Sequence, residues 1–200
     1  MFPEVTRDDI FRLETERLWL RWPRASDAGA FVRLAGDPEI ALMTATIPHP
    51  YEKRHADDAI LRMREQNARG DGLDLAITLK RQQNEAIGVV GLRGVNSRGE
   101  ATFGCWLGRP FWGQGLMGEA AAAFLDLVFG FTSLERIVSH VLPANESSLR
   151  LHEKLGFERL GSRSCAAPAR GGNVPAEFFE LRRGATHTVF GARRPKLKSL

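Results

Sequence analysis

Arg109-Pro-Phe-Trp-Gly-Gln-Gly-Leu-Met-Gly-Glu-Ala120 decides how this chain is read. Its Gly113-x-Gly115-x-x-Gly118 spacing matches, letter for letter, the fingerprint of a dinucleotide-binding loop. That motif needs a context: the loop follows its strand directly, opens a parallel βαβ unit and meets a carboxylate at the end of the next strand. Here Pro110, Phe111 and Trp112 intervene, and the next strand-like segment closes on His140-Val141-Leu142 with no acid. No Gly-Lys-Ser/Thr follows, which excludes a Walker-type phosphate loop. The physics of the loop outlives those labels. Glycines ahead of a helix let backbone amides point outward, and the first four amides of a helix lack internal partners. With the helix dipole they make a seat for a phosphate or pyrophosphate; the plainer alternative is a tight turn that needs glycine only for its angles. Three glycines in six residues ahead of a helix favour the anion seat.

Downstream of the loop, a helix is expected from Leu116 to Phe129. Upstream, Leu73–Leu79, Ala86–Val95 and Ala101–Leu107 read as strands. Polar turns at Gln82–Asn84 and Asn96–Gly99 join them, which predicts an antiparallel meander. Leu18–Trp22 is a further strand, followed by a helix through Leu34 that Ser26 or Asp27 can cap. Tyr51–Asn67 has helical periodicity, with Ala56, Ala59, Ile60 and Met63 on one face, and Gly70 to Gly72 ends it. After the loop helix come a strand at Arg136–Leu142, a helix at Ser147–Leu155, and weaker strands at Phe157–Gly161 and Glu177–Leu181. Cys165–Pro175, rich in Pro, Ala and Gly, reads as a mobile loop. The fold class is therefore α+β, a mixed sheet with helices packed on it. Residues 1–183 form one domain, and 184–200 a basic tail expected to be flexible.

Composition narrows the function classes. Two hundred residues, 43% hydrophobic and 26% charged, suit a single globular domain and exclude wholesale disorder or a disulfide scaffold. The longest apolar stretch, Ala120–Phe131, is interrupted by Asp126 and is too short to span a bilayer. The start MFPEVTRDDI has the wrong charge pattern for a secretory signal. Cys105 and Cys165 make neither a disulfide framework nor a metal pattern, so a cytoplasmic protein with reduced thiols is expected. No His-x-x-x-His pair occurs, and no metal site is expected. The net charge of +4 owes much to Arg193, Arg194, Lys196 and Lys198, which have no acidic neighbours. Such a run is usually a solvated terminus, so nucleic-acid binding is disfavoured, and scattered Arg and Lys would equally serve a polyanionic cofactor.

Two stretches in register carry a resemblance. Cys105-Trp106-Leu107 followed by Pro110–Ala120 resembles the cofactor loop of the GNAT superfamily of N-acetyltransferases. Asn145-Glu-Ser-Ser148 followed by a helix ending Glu153-Lys154-Leu155-Gly156-Phe157 resembles its second signature. Leu13-Glu-Thr-Glu-Arg17-Leu-x-Leu-Arg21 and Ile47-Pro-x-Pro50-Tyr resemble the branch that acetylates N-termini of ribosomal proteins. The resemblance runs from about Leu13 to Arg182 and implies the GNAT fold, an antiparallel meander followed by splayed parallel strands. It implies acetyl-CoA as co-substrate, an amine acceptor and no metal. The pyrophosphate would sit on the amides of Gln114, Gly115, Leu116, Met117 and Gly118, with Gly113 shaping the turn and Trp112 covering the cofactor. The pantetheine arm would pair with Trp106 and Leu107, and Asn145 would bond its end. Ser148 would protonate the departing sulfur, and Met117 is bulkier than the residue the superfamily usually carries there. The resemblance also implies that His152 stands where the superfamily's last helix carries a Tyr proton donor.

Direct acyl transfer needs a neutral amine, a polarised carbonyl, an in-line approach and a protonated leaving thiolate. Deprotonating a lysine amine at pH 7.4 costs roughly 4 kcal/mol, an α-amine under about 1. Many members of the family place a Glu on the strand before the loop, but Ala101–Leu107 contains no carboxylate. The site therefore suits an α-amine or another amine of low pKa. Glu119 or Glu85 acting through water are candidate bases; for Glu85 and Glu100 a solvated or capping role is favoured. Ser148 could cap its helix as well as donate a proton. Without a strand carboxylate, a catalytically silent CoA-binding sensor is the alternative. The acceptor loops 36–55 and 163–175 carry no diagnostic motif, and the sequence leaves monomer or homodimer open.

Overall fold

The computed structural model describes residues 1–94, 100–185 and 196–197. Its strands are β1 (Arg12–Glu14), β2 (Leu18–Arg21), β3 (Leu73–Leu79), β4 (Gln82–Arg93), β5 (Ala101–Leu107), β6 (Arg136–Val141), β7 (Glu158–Ala167), β8 (Gly172–Arg182) and β9 (Lys196–Leu197). The helices are α1 (Ala28–Ala35), α2 (Pro38–Met43), α3 (Lys53–Arg69), α4 (Leu116–Phe131) and α5 (Glu146–Lys154). One sheet holds the strands in the order β7-β8-β6-β5-β4-β3-β2-β1-β9. Neighbours are antiparallel except β5 and β6, which run parallel.

Alternation along the strands sorts the side chains onto two faces. Leu73, Leu75 and Ile77 point with Leu92 and Phe103 into a core closed by Leu116, Phe124 and Val128 of α4. Ala76, Val89 and Trp106 point the other way, against Ala28 and Phe31 of α1 and Ala56 and Ile60 of α3. So α4 and α5 cover one face of the sheet and α1 and α3 the other. The predicted meander is β3-β4-β5, antiparallel throughout.

Three expectations need correction, and two residues of the tail are described. Gln82–Asn84 are not a turn: the chain reverses at Lys80 and Arg81, and the polar run opens β4 with its side chains in solvent. Cys165–Pro175 is not a loop either; it completes the β7–β8 hairpin around a 3-10 turn at Pro168–Arg170. In the tail, Leu197 and Lys196 pair with Leu13 and Glu14 as an added edge strand. Asp27 does not cap α1, because its carboxylate is taken by a buried bidentate pair with Arg21 (2.8 Å each) and by the Arg24 amide. The expected Asn96–Gly99 turn and the remainder of the tail lie outside the described residues. Among the described residues no helix is long and apolar enough to cross a membrane.

Candidate active site

β5 and β6 are paired only at Ala101–Ile137 and Thr102–Val138, and beyond those pairs they diverge. The result is a wedge whose apex is marked by Ser139, its hydroxyl 3.2 Å from the Phe103 carbonyl. Gly108 N–H donates to Ile87 of β4, which fixes the phase of the strand. Alternation then turns the backbone of Thr102, Gly104 and Trp106 toward β4, and that of Phe103, Cys105 and Leu107 toward the wedge. Of the two residues expected to meet the pantetheine arm, Trp106 turns its backbone to β4 and Leu107 turns its own to the wedge. Trp106 packs edge-on against Phe31 at 5.3 Å, and the Leu107 carbonyl accepts from Trp112 Nε1 at 2.6 Å. The backbone available to an arm in the wedge is that of Cys105 and the Leu107 amide. Burial pushes the Cys105 thiol up to about 12, so it stays protonated.

At the open end of the wedge lies the glycine loop. Gly113 (φ +74°) and Gly115 (φ +73°) are both left-handed, a conformation that costs an L-residue roughly 1–2 kcal/mol. Gly115 is the residue ahead of α4, and the first helical bond runs from Glu119 N to the Gly115 carbonyl. The amides of Leu116, Met117 and Gly118 therefore have no helical acceptor. Leu116 is buried, and Met117 packs onto the same core. Trp112, 41% exposed, is braced on the strand end by its indole. Gln114 Nε2 donates to the Pro110 carbonyl at 3.0 Å.

Glu119 holds this loop in place. Its Oε1 accepts from Thr15 Oγ1 (2.6 Å) and the Arg17 amide (2.8 Å), its Oε2 from Arg17 Nε (2.6 Å). Arg17 Nη1 continues to the Gln114 carbonyl at 2.9 Å. Burial alone would raise the Glu119 carboxyl, but the bonds from Thr15 and Arg17, with the Arg17 charge, bring it below the ordinary range. A carboxylate so held is a poor base, and the geometry makes it a positioning residue for the loop. Glu119→Gln should raise the acetyl-CoA KM about fivefold, the size of a partly exposed charge-assisted contact, with kcat little changed. A collapse of kcat at unchanged KM would restore Glu119 as a base. Glu85 pairs with Arg33 at the surface, and Glu100, mostly buried, pairs with Arg136.

On the other side of the wedge stands α5. Asn145 caps it, Oδ1 accepting from Ser148 N–H at 3.1 Å, while Nδ2 donates to the Met43 carbonyl at the end of α2 (3.1 Å). Both ends of the amide are thus engaged within the protein, and Ser148 is not the cap. Its hydroxyl sits 3.4 Å from His152 Nδ1. His152 is 2% exposed, and burial pushes it down to about 4, against the opposing bond to Ser148, so the ring is neutral. Its Nδ1 lies 2.7 Å from the Ser148 carbonyl, which can only accept, so Nδ1 carries the proton. Nε2 then faces Ser139 Oγ at 2.9 Å. His152 supports α5 against the wedge apex, and the Ser148 hydroxyl proton is not needed by Nδ1. No sequence signal pointed to Ser139, whose part depends on the splay.

The two segments expected to receive the acceptor meet. Arg170 donates to the Ala41, Leu42 and Thr44 carbonyls, and Ala169 N–H to Ala45. The tip of the β7–β8 hairpin is thereby fastened to the end of α2 beside Asn145. Among the described residues no group of three or more His, Cys, Asp or Glu is placed to hold a metal ion.

The acetyltransferase (GNAT) domain family matches residues 17–158 of this chain. The chain is 31% identical over 172 residues to the uncharacterized N-acetyltransferase p20 of Bacillus licheniformis, covering 84% of this chain and 94% of that protein. Among solved structures, RimJ of Mycobacterium smegmatis in complex with CoA-disulfide superposes with a TM-score of 0.74 at 21% identity, over 94% of this chain and 95% of that one. The microcin C7 self-immunity acetyltransferase MccE, in complex with acetyl-CoA and AMP, superposes with a TM-score of 0.71 at 18% identity, over 84% and 93%.

Proposed function

We propose, since this chain belongs to the GNAT acetyltransferase family, that it transfers an acetyl group from acetyl-CoA directly to an amine, either the α-amine of a protein or peptide N-terminus or a small amine of similar pKa. The observation that carries this reading is the wedge, with an anion seat at its open end and the Ser148 hydroxyl beside it. Pyrophosphate charge suits the free amides of Leu116–Gly118, where the α4 dipole adds to them. The pantetheine amides suit the strand edge at Cys105 and Leu107. The amine nitrogen attacks the thioester carbonyl, the N–C bond forms as C–S breaks, the nitrogen gives up a proton to a base or solvent, and Ser148 gives the thiolate a proton that solvent replaces. RimJ and MccE, whose structures hold CoA-disulfide and acetyl-CoA, support the choice of co-substrate.

CoA should raise the melting temperature more than ADP does, because ADP reaches the loop amides but not the strand edge. Equal protection by both would contradict the pantetheine slot. The carboxylate-free β5 favours one rival, a CoA-binding sensor without turnover. Screening acetyl transfer across N-terminal peptides, polyamines and aminoglycosides, read by thiol release, separates the two. Binding alone does not.

A further inference from the structure

Asp74 belongs to no motif and stands on a central strand. It lies on β3 among residues buried on both faces, and it is 9% exposed. The last turns of α3 hold it in place. Asn67 Oδ1 accepts from the Asp74 amide (2.8 Å), Asn67 Nδ2 donates to its carbonyl (2.9 Å), and Gln66 Nε2 donates to Oδ2 (3.0 Å). No hydrogen bond among the described residues reaches Oδ1. That oxygen leans across the sheet over Gly91 of β4, where a Cβ would lie 1.8 Å from it. Gly91 in turn pairs with Gly104 of β5, which is exposed and would meet nothing within 4 Å if it had a Cβ.

Asp74, Gly91 and Gly104 thus form one row across β3, β4 and β5, and the two glycines clear a passage from the carboxylate to the wedge. Gly104 sits next to Phe103, at the apex. The row lies on the α1/α3 face, opposite the face covered by α4 and α5. An amine reaching the thioester along it would approach from the side away from the cofactor loop. From Gly91 one strand spacing of about 5 Å leads to Gly104 and part of another to the wedge, a gap bridged by the amine together with ordered water.

We propose that Asp74 is the general base of this site, receiving the proton that the acceptor amine sheds as it attacks. The inference rests on the acetyl-transfer reading above. It supplies the carboxylate that β5 lacks, from two strands away. Most of the side chain is buried, yet Oδ1 has no protein partner and keeps contact with solvent, which leaves it open to take up a proton, and such groups concentrate where chemistry needs them. Burial lifts Asp74 to about 6, against the pull of Arg93. Arg93 of β4 is the charged group whose field reaches it, while α3 presents the neutral Gln66 and Asn67. Above pH 6 the carboxylate is ionised and ready to accept a proton.

The test is acetyl transfer to a short peptide bearing a free α-amine, across pH 5 to 9. In the native protein kcat/KM should rise with pH through a limb near 6. Asp74→Asn should lower kcat/KM about 100-fold and remove that limb, with acetyl-CoA affinity unchanged. Its melting temperature at pH 8 should equal or exceed the native value. The sign follows from the upward shift from 3.8: protonated Asp74 favours folding at low pH, and that contribution is lost as pH rises through about 6. Gly104→Val, which fills the passage from a position where β-branching suits a strand, should raise the peptide KM at least tenfold while acetyl-CoA binds normally. Undiminished transfer by Asp74→Asn overturns the proposal and leaves acetyl transfer standing. A fall in acetyl-CoA affinity or melting temperature matching the fall in activity overturns it in favour of a structural Asp74. A native protein that acetylates no amine overturns both readings.

Discussion

Ser148→Ala should lower kcat about 100-fold, the low end for a general acid, with acetyl-CoA KM and melting temperature little changed. On sequence grounds Ser148 had a competing role as the helix cap, whose loss would cost about 1 kcal/mol of stability. The structure gives that role to Asn145, which accepts from the Ser148 amide through its own side chain. Ser148 Oγ keeps only a long approach of 3.4 Å to His152, whose proton is already directed to a backbone carbonyl. Removing the hydroxyl therefore leaves the cap and the ring in place. Ser148→Thr retains a hydroxyl and should recover most of the activity. A variant that loses melting temperature instead of kcat would mean that the hydroxyl holds the helix rather than the thiolate's proton.

Gly115→Val should raise the acetyl-CoA KM at least tenfold while the fold persists. Space is not the obstacle at this residue, since a Cβ would come no closer than 3.6 Å to Arg17. Conformation is. At φ +73° a β-branched side chain meets its own backbone, and the loop relieves that strain by rotating the amides ahead of α4 out of register. Phosphate affinity depends on several amides converging on one point, so a small rotation costs more than one contact. Gly115→Ala, without the branching, should fall between native and Val. Normal cofactor affinity in the Val variant would reduce the loop to a turn.

What the sequence disclosed and what it hid follow from how local each feature is. β3 and β5 were read with their observed ends, because each is a seven-residue run with strand-forming residues between polar or glycine boundaries. The loop and the start of α4 were equally plain, since glycine spacing is a local property. Only the outer ends of the β7–β8 hairpin, Phe157–Gly161 and Glu177–Leu181, show in the sequence; its tip does not, because most of β7 is exposed, so no apolar alternation marks it, and Pro168 and Gly171 imitate a loop. α2 went unread because six residues are too few to show a period, although Asp37 caps it by accepting from Glu39 N–H at 2.9 Å. In the site, Asn145 and Ser148 could be singled out from their motif, but their division of labour could not. It depends on Met43, which is 102 residues away in the chain. Glu119 is a candidate base on sequence because β5 has no carboxylate of its own; its bonds to Thr15 and Arg17, brought by the β1–β2 turn, are invisible there. Asp74 and Gly104 become neighbours only through strand register, which no single stretch of sequence contains.

Acetyl transfer to an amine in the β5–β6 wedge can be read by incubating the protein with acetyl-CoA and free-α-amine peptides and weighing the products. CoA release should be matched one for one by peptide heavier by an acetyl group, faster for α-amines than for lysine side chains at pH 7.4. Tight acetyl-CoA binding with neither released thiol nor acetylated peptide would contradict acetyl transfer and leave a sensor in its place.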